Sequence, residues 1–375
     1  MPSRRPWHML VCAAISVAAS AAKAQAAPNL PVEPTKPPTW RESLDAGRDR
    51  LAERLSGLKL SAFGDVLAAP DDRGRRKLDW GTFELDFAGE FHDMVDAAAA
   101  VVTTREATKL PVAFLDFHPF GGTIAPRGRL WVEKGFHIQA GRFDVPFGND
   151  WQFFASKDSV SISRPLTTDG IMEGGYNDIG LRVLGNDGTT NFNAFVLRGF
   201  GDGRLAGGRL GFTPFGNPFS LRTVRDPKSL EFGVSCLYDT GADRRKQETA
   251  WAADAEGRVG PWYLRGEYLL RRQEPDGIHE RITRRGWHLT QEFVFADLPV
   301  PTTLFLRYER MGQRPVDGPP GGDHDVRAAA GLSLTLAGIF QLKAEWQHFL
   351  EATLTTQDTP AYSPNVWLAQ LVVVF

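Results

Sequence analysis

The feature that most constrains this chain is a two-residue alternation of apolar and polar side chains, repeated in segment after segment. Leu230, Phe232, Val234, Cys236 and Tyr238 alternate without a miss. So do Trp262, Leu264, Tyr268 and Leu270, with Gly266 in the gap, and Trp287, Leu289, Phe293 and Phe295 around Gln291. Leu304, Leu306 and Tyr308 follow, then Ala328, Ala330, Leu332, Leu334 and Leu336, then Phe340, Leu342, Ala344, Trp346 and Leu350. The chain closes on Trp367, Ala369, Leu371, Val373 and Phe375. Successive side chains of a strand point to opposite faces, so each set forms one apolar face opposite a polar one.

Alternation alone fits a soluble sandwich as well as a barrel. Three further features select the barrel. The segments run to about ten residues, and the eight steps from Trp367 to Phe375 rise roughly 20 Å at a tilt near 40°, close to the apolar height of an outer membrane. Aromatic side chains stand at the ends of the apolar faces, as Trp262, Trp287, Trp367, Tyr238 and Phe375 do, where interfacial girdles belong. The connections alternate in length: Glu351–Asn365, Gly312–Asp325 and Gln273–Arg285 are long, whereas Ala337–Ile339, Asp297–Val300 and Arg258–Gly260 are short. With the C-terminus on the periplasmic side, the short ones are periplasmic turns and Pro214–Lys228 is the one exception. The expected fold is therefore all-β, a transmembrane antiparallel β-barrel over 58–375. At roughly twenty residues per strand and connection it holds about 16 strands. A segment-by-segment count comes out one higher, and the excess falls in Ala97–Phe117, where Pro111 could make one strand look like two.

The N-terminus fits export. Arg4 and Arg5 precede an apolar run, Leu10–Ala22, and Ala24-Gln25-Ala26 offers a cleavage site after Ala26. Residues 1–26 are thus expected to be a signal peptide. The run is short for a membrane anchor, and Cys12 lies inside it, so a lipid-attachment site is not expected. Residues 27–57 read as a linker rich in proline (Pro28, Pro31, Pro34, Pro37, Pro38) and a short amphipathic helix from Thr39 to Gly57, with Leu44, Leu51, Leu55 and Leu58 on one face. That helix could oligomerise, plug, or simply lead into the barrel. No plug-sized segment is seen before the barrel, which disfavours a gated transporter. The 43 basic and 45 acidic residues nearly cancel, which excludes a nucleic-acid partner bound through a basic face. After cleavage only Cys236 remains, so no intrachain disulfide is expected.

The longest connection, 144–175, is rich in aromatic and small residues (Trp151, Phe153, Phe154, Ile162, Ile171, Met172). A long ordered loop in a barrel is usually functional, and this one is expected to fold into the lumen, bringing Lys157, Asp158, Arg164, Asp169 and Glu173 to a constriction. A lid or subunit contact outside the pore is the alternative. Register assigns Arg129, Arg182, Arg209, Arg265, Arg271, Arg307 and Lys343 to the lumen wall, with Glu84, Asp86, Glu133, Glu267, Glu292, Glu309 and Glu345. The two sets are equal in size. Cross-strand ladders of opposite charge are the plainer role for most of them; opposed fields across a constriction are the other.

Gly141-Arg142-Phe143-Asp144-Val145-Pro146-Phe147-Gly148 resembles the strand-end motif of the phosphate-selective porin O/P family, and Phe153-Phe154 and Ser163-Arg164-Pro165 resemble the loop that follows. The terminal Phe375, with apolar alternation behind it, resembles the signal read by the barrel-insertion machinery. The resemblance implies a homotrimeric, 16-stranded diffusion channel of the bacterial outer membrane, in contact with outer-membrane lipid, for small hydrophilic solutes, anions such as phosphate among them. The balanced lumen charges do not form the dense basic path of the phosphate-selective members.

No cofactor and no metal follow from the pattern. There is no G-x-S-x-G, and His288 and His348 lack the spacing of a Ser-His-Asp set. Gly322-Asp323-His324-Asp325 departs from a calcium loop, and Gly199, Gly201 and Gly203 are turn glycines with no helix to follow. The chain is thus not expected to be an enzyme; a barrel enzyme and a structural barrel with a blocked lumen are the alternatives.

Overall fold

The computed structural model describes residues 58–70, 76–120, 134–150, 155–173, 175–198, 203–216, 228–241, 247–273, 281–316, 323–353 and 364–374. The expected signal peptide, linker and helix lie outside them. The strands are β1 (Leu58–Pro70), β2 (Arg76–His92), β3 (Val95–Thr104), β4 (Thr108–Phe120), β5 (Gly135–Asp144), β6 (Asn177–Asn186), β7 (Thr190–Arg198) and β8 (Arg204–Phe215). They continue as β9 (Lys228–Asp239), β10 (Glu248–Val259), β11 (Trp262–Gln273), β12 (Ile282–Phe295), β13 (Thr302–Pro315), β14 (Asp323–Leu336), β15 (Phe340–Ala352) and β16 (Asn365–Val374).

Each strand pairs antiparallel with its sequence neighbour, and β1 pairs with β16 to close the barrel. That seam runs from Phe63 opposite Val374 to Ala68 opposite Ala369. Closure leaves no strand edge, which lipid could not satisfy. Both chain ends of the barrel fall on one rim because the strand number is even.

The alternating apolar sets face outward. Leu306 is 56% exposed, while its neighbours Arg307 and Phe305 are buried. Aromatic pairs ring the outer face at two heights. Trp262 and Phe293 meet near the chain-end rim with centroids 4.1 Å apart and their planes tilted by 57°. Trp287–Tyr308 and Trp346–Trp367 meet toward the opposite rim, at 5.6 and 6.3 Å. Between them lie Leu264, Leu289, Leu306 and Leu342. An apolar belt edged by aromatic rings is the polarity of a protein dissolved in a bilayer. No described helix is long and apolar enough to cross a membrane; the strands do the crossing.

Two sequence expectations are corrected. Ala97–Phe117 is a true hairpin, β3 and β4, not one strand counted twice. Pro111 sits in β4 at a bulge: Ala100 pairs with Val112 and Val102 with Lys109, so Leu110 and Pro111 together oppose Val101. Proline has no N–H for the ladder, and a bulge is where a strand tolerates it. On the chain-end rim, Pro214–Lys228 is not the one long connection; that between Phe120 and Gly135 is long as well.

A charge placed in the middle of the outer belt must be desolvated by lipid. Leu306→Arg is expected to lower unfolding stability in lipid vesicles by about 2–4 kcal/mol, read as a fall in the urea midpoint, whereas Leu306→Phe should leave it nearly unchanged.

Candidate functional site

The segment after β5 lies against the inner wall, and its entry depends on two glycines. Gly141, at φ +141°, sits where a Cβ would come within 2.3 Å of the Ala113 carbonyl. Gly148, at φ +68°, lies so close to the Glu267 carboxylate that a Cβ would fall 2.5 Å from it. Only glycine fits either place. Thus the glycines at both ends of the Gly141–Gly148 motif have a physical role: one lets β4 and β5 approach, the other lays the loop on the wall. Val145 N–H donates to Tyr176 C=O at 2.8 Å and closes the neck of the loop.

From there the loop is strapped to wall carboxylates and cations in turn. Glu267 accepts the Asn149 N–H at 2.8 Å and the Asp150 N–H at 3.3 Å. Asp150 receives Arg265 at 2.8 Å and the Thr168 hydroxyl at 2.7 Å. Glu345 accepts the Ile162 and Ser163 N–H groups at 2.7 and 3.0 Å, and also the Ser163 hydroxyl. Glu309 accepts the Leu166 N–H at 2.6 Å. Cations take the carbonyls: Arg307 donates to Ser163, Arg327 to Arg164, Arg271 to Ile171, and Lys343 to Ser156 and Ser159. A single π turn, Thr167–Ile171, occupies the middle, where Thr167 Oγ1 and His288 Nδ1 are hydrogen-bonded at 2.9 Å.

These wall groups also neutralise one another. Glu309 lies 3.0 Å from Arg307 and 2.7 Å from Arg327, and all three are buried. Arg209 bridges Glu231 at 2.9 Å and Asp254 at 2.6 Å. Removing one partner of such a set strands a buried charge, which costs far more than the net worth of the pair.

The five expected constriction charges all occur on this segment and are its less buried part. Lys157 and Asp158 pair at 3.1 Å. Arg164 and Asp169 are half-buried, and Glu173 is exposed, with its carboxylate 2.9 Å from Arg284 and 3.5 Å from Arg271. Val160, Leu166 and Ile171 are buried beneath them. Of the expected lumen-wall residues, Arg182, Arg209, Arg265, Glu267, Arg271, Arg307, Glu309, Lys343 and Glu345 are buried on the inner face, with Glu84, Asp86 and Glu292. Arg129, Glu133 and Phe375 lie outside the described residues, as do Trp151, Phe153 and Phe154.

Sequence reasoning missed Arg327, Glu231 and Asp254. The first two were within reach: extending the register of Ala328 one residue back, or reading the residue beside Leu230, places each on the inner face. Asp254 was harder, because alanines at 250, 252, 253 and 255 flank it on both faces and blur the apolar–polar alternation there. The equality of lumen charges does not survive, since buried carboxylates outnumber buried Lys and Arg among the described residues.

Burial pushes the Asp150 carboxyl up, but Arg265, His288 and the Thr168 hydroxyl outweigh it and hold it below its ordinary 3.8. Burial likewise raises Glu173, and Arg271, Gln273 and Arg284 carry it below 4.5. A depressed carboxyl stabilises the folded state above its unfolded value and loses that contribution as pH falls through the folded value.

No family model matches the sequence, and neither does any curated protein. Solved structures do match in fold. OmpT of Vibrio cholerae, an outer membrane protein in its trimer form, superposes at TM-score 0.59 with 12% identity, covering 85% of this chain and 99% of that one. The anion-selective porin from Comamonas acidovorans gives 0.58 and 12%, covering 85% and 100%. Salmonella typhi OmpF, in a complex with daunomycin, gives 0.58 and 11%, covering 85% and 97%. The chain has the barrel fold of outer-membrane porins.

Glu309→Gln should free the loop without opening the barrel. Proteinase K is expected to cut within 155–173 in the variant and not in the parent, while both keep the heat-modifiable mobility of a folded barrel. The Asp150 tether should resist acid: pepsin protection of the same segment is expected to persist as pH falls to 3.8 and to be lost only below it, whereas Asp150→Asn should lack protection throughout.

Proposed function

We propose that the chain is an outer-membrane porin, a passive diffusion channel for small hydrophilic solutes, and not an enzyme. The observation that carries this reading is the combination in one closed barrel of an apolar outer belt, a charged inner wall and a long segment held against that wall. Field lines from the half-exposed charges Lys157, Asp158, Arg164, Asp169 and Glu173 would cross the narrowest part of the lumen and orient polar solutes. The buried wall charges line the remainder. In this reading residues 1–26 direct export, 27–57 lead into the barrel, 58–375 form it, and Phe375 is its assembly signal for the insertion machinery.

The finer assignment is to the phosphate-selective porin O/P family, supported by the Gly141–Gly148 motif and the structural role of both its glycines. A homotrimer goes with that assignment, and the Vibrio cholerae protein has a trimer form. Small anions such as phosphate are the solutes the resemblance suggests, and one fold relative is an anion-selective porin. The excess of buried carboxylates on this wall works against a strong anion preference.

A sealed structural barrel is the second reading. It is favoured by the near-complete burial of wall charges such as Arg307 (2% exposed) and Glu309 (0%) and by the apolar cluster of Phe143, Phe147, Leu166 and Ile171 inside the barrel.

Planar-bilayer recording separates the two. Discrete conductance steps, in groups of three for a trimer, are expected of the porin, and the reversal potential under a KCl gradient reads its charge preference. Glu173→Lys should move that potential toward anions. Silence from correctly folded protein would establish the sealed barrel.

A further inference from the structure

We infer that the inner wall near the chain-end rim holds a divalent transition-metal site formed by Asp96, Asp116 and His118. Asp96 on β3 and Asp116 on β4 are directly opposite each other in the ladder, and both face inward. Side chains so placed have their Cβ atoms about 5 Å apart, and like charges there repel. Both are buried, Asp116 completely. Other inner-wall carboxylates, such as Glu309, Glu231 and Asp254, face a guanidinium within 3 Å. This pair faces imidazoles. The Arg182 guanidinium on β6 also attracts Asp116, and it donates to Gln139 Oε1 and to the Asp144 carbonyl.

His118 is the second, independent sign. It is 5% exposed, and neither ring nitrogen has a hydrogen-bond partner. Its Nε2 lies 3.3 Å from Asp96 Oδ2, near enough for an ion pair but not aligned as a hydrogen bond. Asp96 Oδ1 and Asp116 Oδ1 also lack hydrogen-bond partners. Buried polar atoms left so are costly unless something satisfies them. One ligand atom from each of the three residues lies within 4.8 Å of the others. Ligands about 2.1 Å from a common ion stand about 3.4 Å apart at tetrahedral angles, so small side-chain rotations close the set. Asp116 is already oriented: His137 Nδ1 lies 2.8 Å from its Oδ2, the carboxylate–imidazole support usual behind a metal ligand. Two carboxylate oxygens and an imidazole suit zinc, cobalt or manganese rather than calcium. The ion would offset the Asp96–Asp116 repulsion and join β3 to β4. The site does not depend on whether the lumen conducts.

The test uses the full-length chain, untagged, folded in detergent and stripped with chelator. Equilibrium dialysis against Zn²⁺ should show about one ion per chain, and Co²⁺ should give visible absorption from an imidazole-containing site. His118→Ala and Asp96→Asn are each expected to weaken uptake at least about tenfold. His324→Ala removes a histidine–carboxylate pair remote from the site, His324–Glu351 toward the opposite rim, and should leave uptake unchanged. No uptake by heat-modifiable parent protein, uptake unchanged in both His118→Ala and Asp96→Asn, or uptake lost in His324→Ala would each overturn the site. Should the variants fail to fold, X-ray absorption of the zinc-loaded parent decides: a shell with imidazole and oxygen supports the site, and one without imidazole sinks it.

Discussion

The structure depends on one constraint: a backbone in lipid must find all its hydrogen-bond partners within the protein. Sixteen strands meet it only because the first and last pair, from Phe63–Val374 to Ala68–Ala369. That seam is the least local contact in the fold, and every other pairing joins sequence neighbours. Once closed, the sheet has only two faces. The outer one must be apolar, and whatever polar character the chain carries is left to the inside. The charged wall is therefore a consequence of closure as well as a resource for function.

The wall charges then set the loop. A backbone segment in the middle of a barrel brings its own unpaired N–H and C=O groups. Glu267, Glu309 and Glu345 accept the first kind, and Arg271, Arg307, Arg327 and Lys343 satisfy the second. Arg271, Arg307, Arg327, Glu309 and Glu345 thus each do two things: they neutralise a neighbour and they pin the loop. This explains why both signs are needed in alternation around the barrel. A wall of one sign could satisfy only half of the loop's backbone groups. It also explains why the wall charges that hold the loop are buried.

Much of this was legible in the sequence, for a simple reason. Period-two alternation, aromatic ends and alternating connection lengths are all local, and a single slip of register would move a whole apolar set to the wrong face. Hence Leu304, Leu306 and Tyr308 were placed outward, and Arg307 and Glu309 inward, without a structure. Errors arose where the local signal was weak. Pro111 made a true strand look doubtful because a bulge, invisible in composition, absorbs it. β10 hid Asp254 because alanines flank it on both faces and blur the alternation. The Asp96–Asp116–His118 cluster was not legible as a set: Asp116 and His118 share a face of β4, but Asp96 joins them only through the register of β3.

The sequence by itself determined the class of fold, the facing of the alternating sets from Leu230 onward and the loop expected to enter the barrel, because these follow from residue pattern and segment length along the chain. Only the tertiary structure decided which charges meet. Glu309 against Arg327, Asp150 beneath Arg265, and Gly148 against Glu267 are contacts across strands and between loop and wall. Their partners are separated by up to a hundred residues or more along the chain. Coulomb attraction acts through space, so no spacing in the sequence records it.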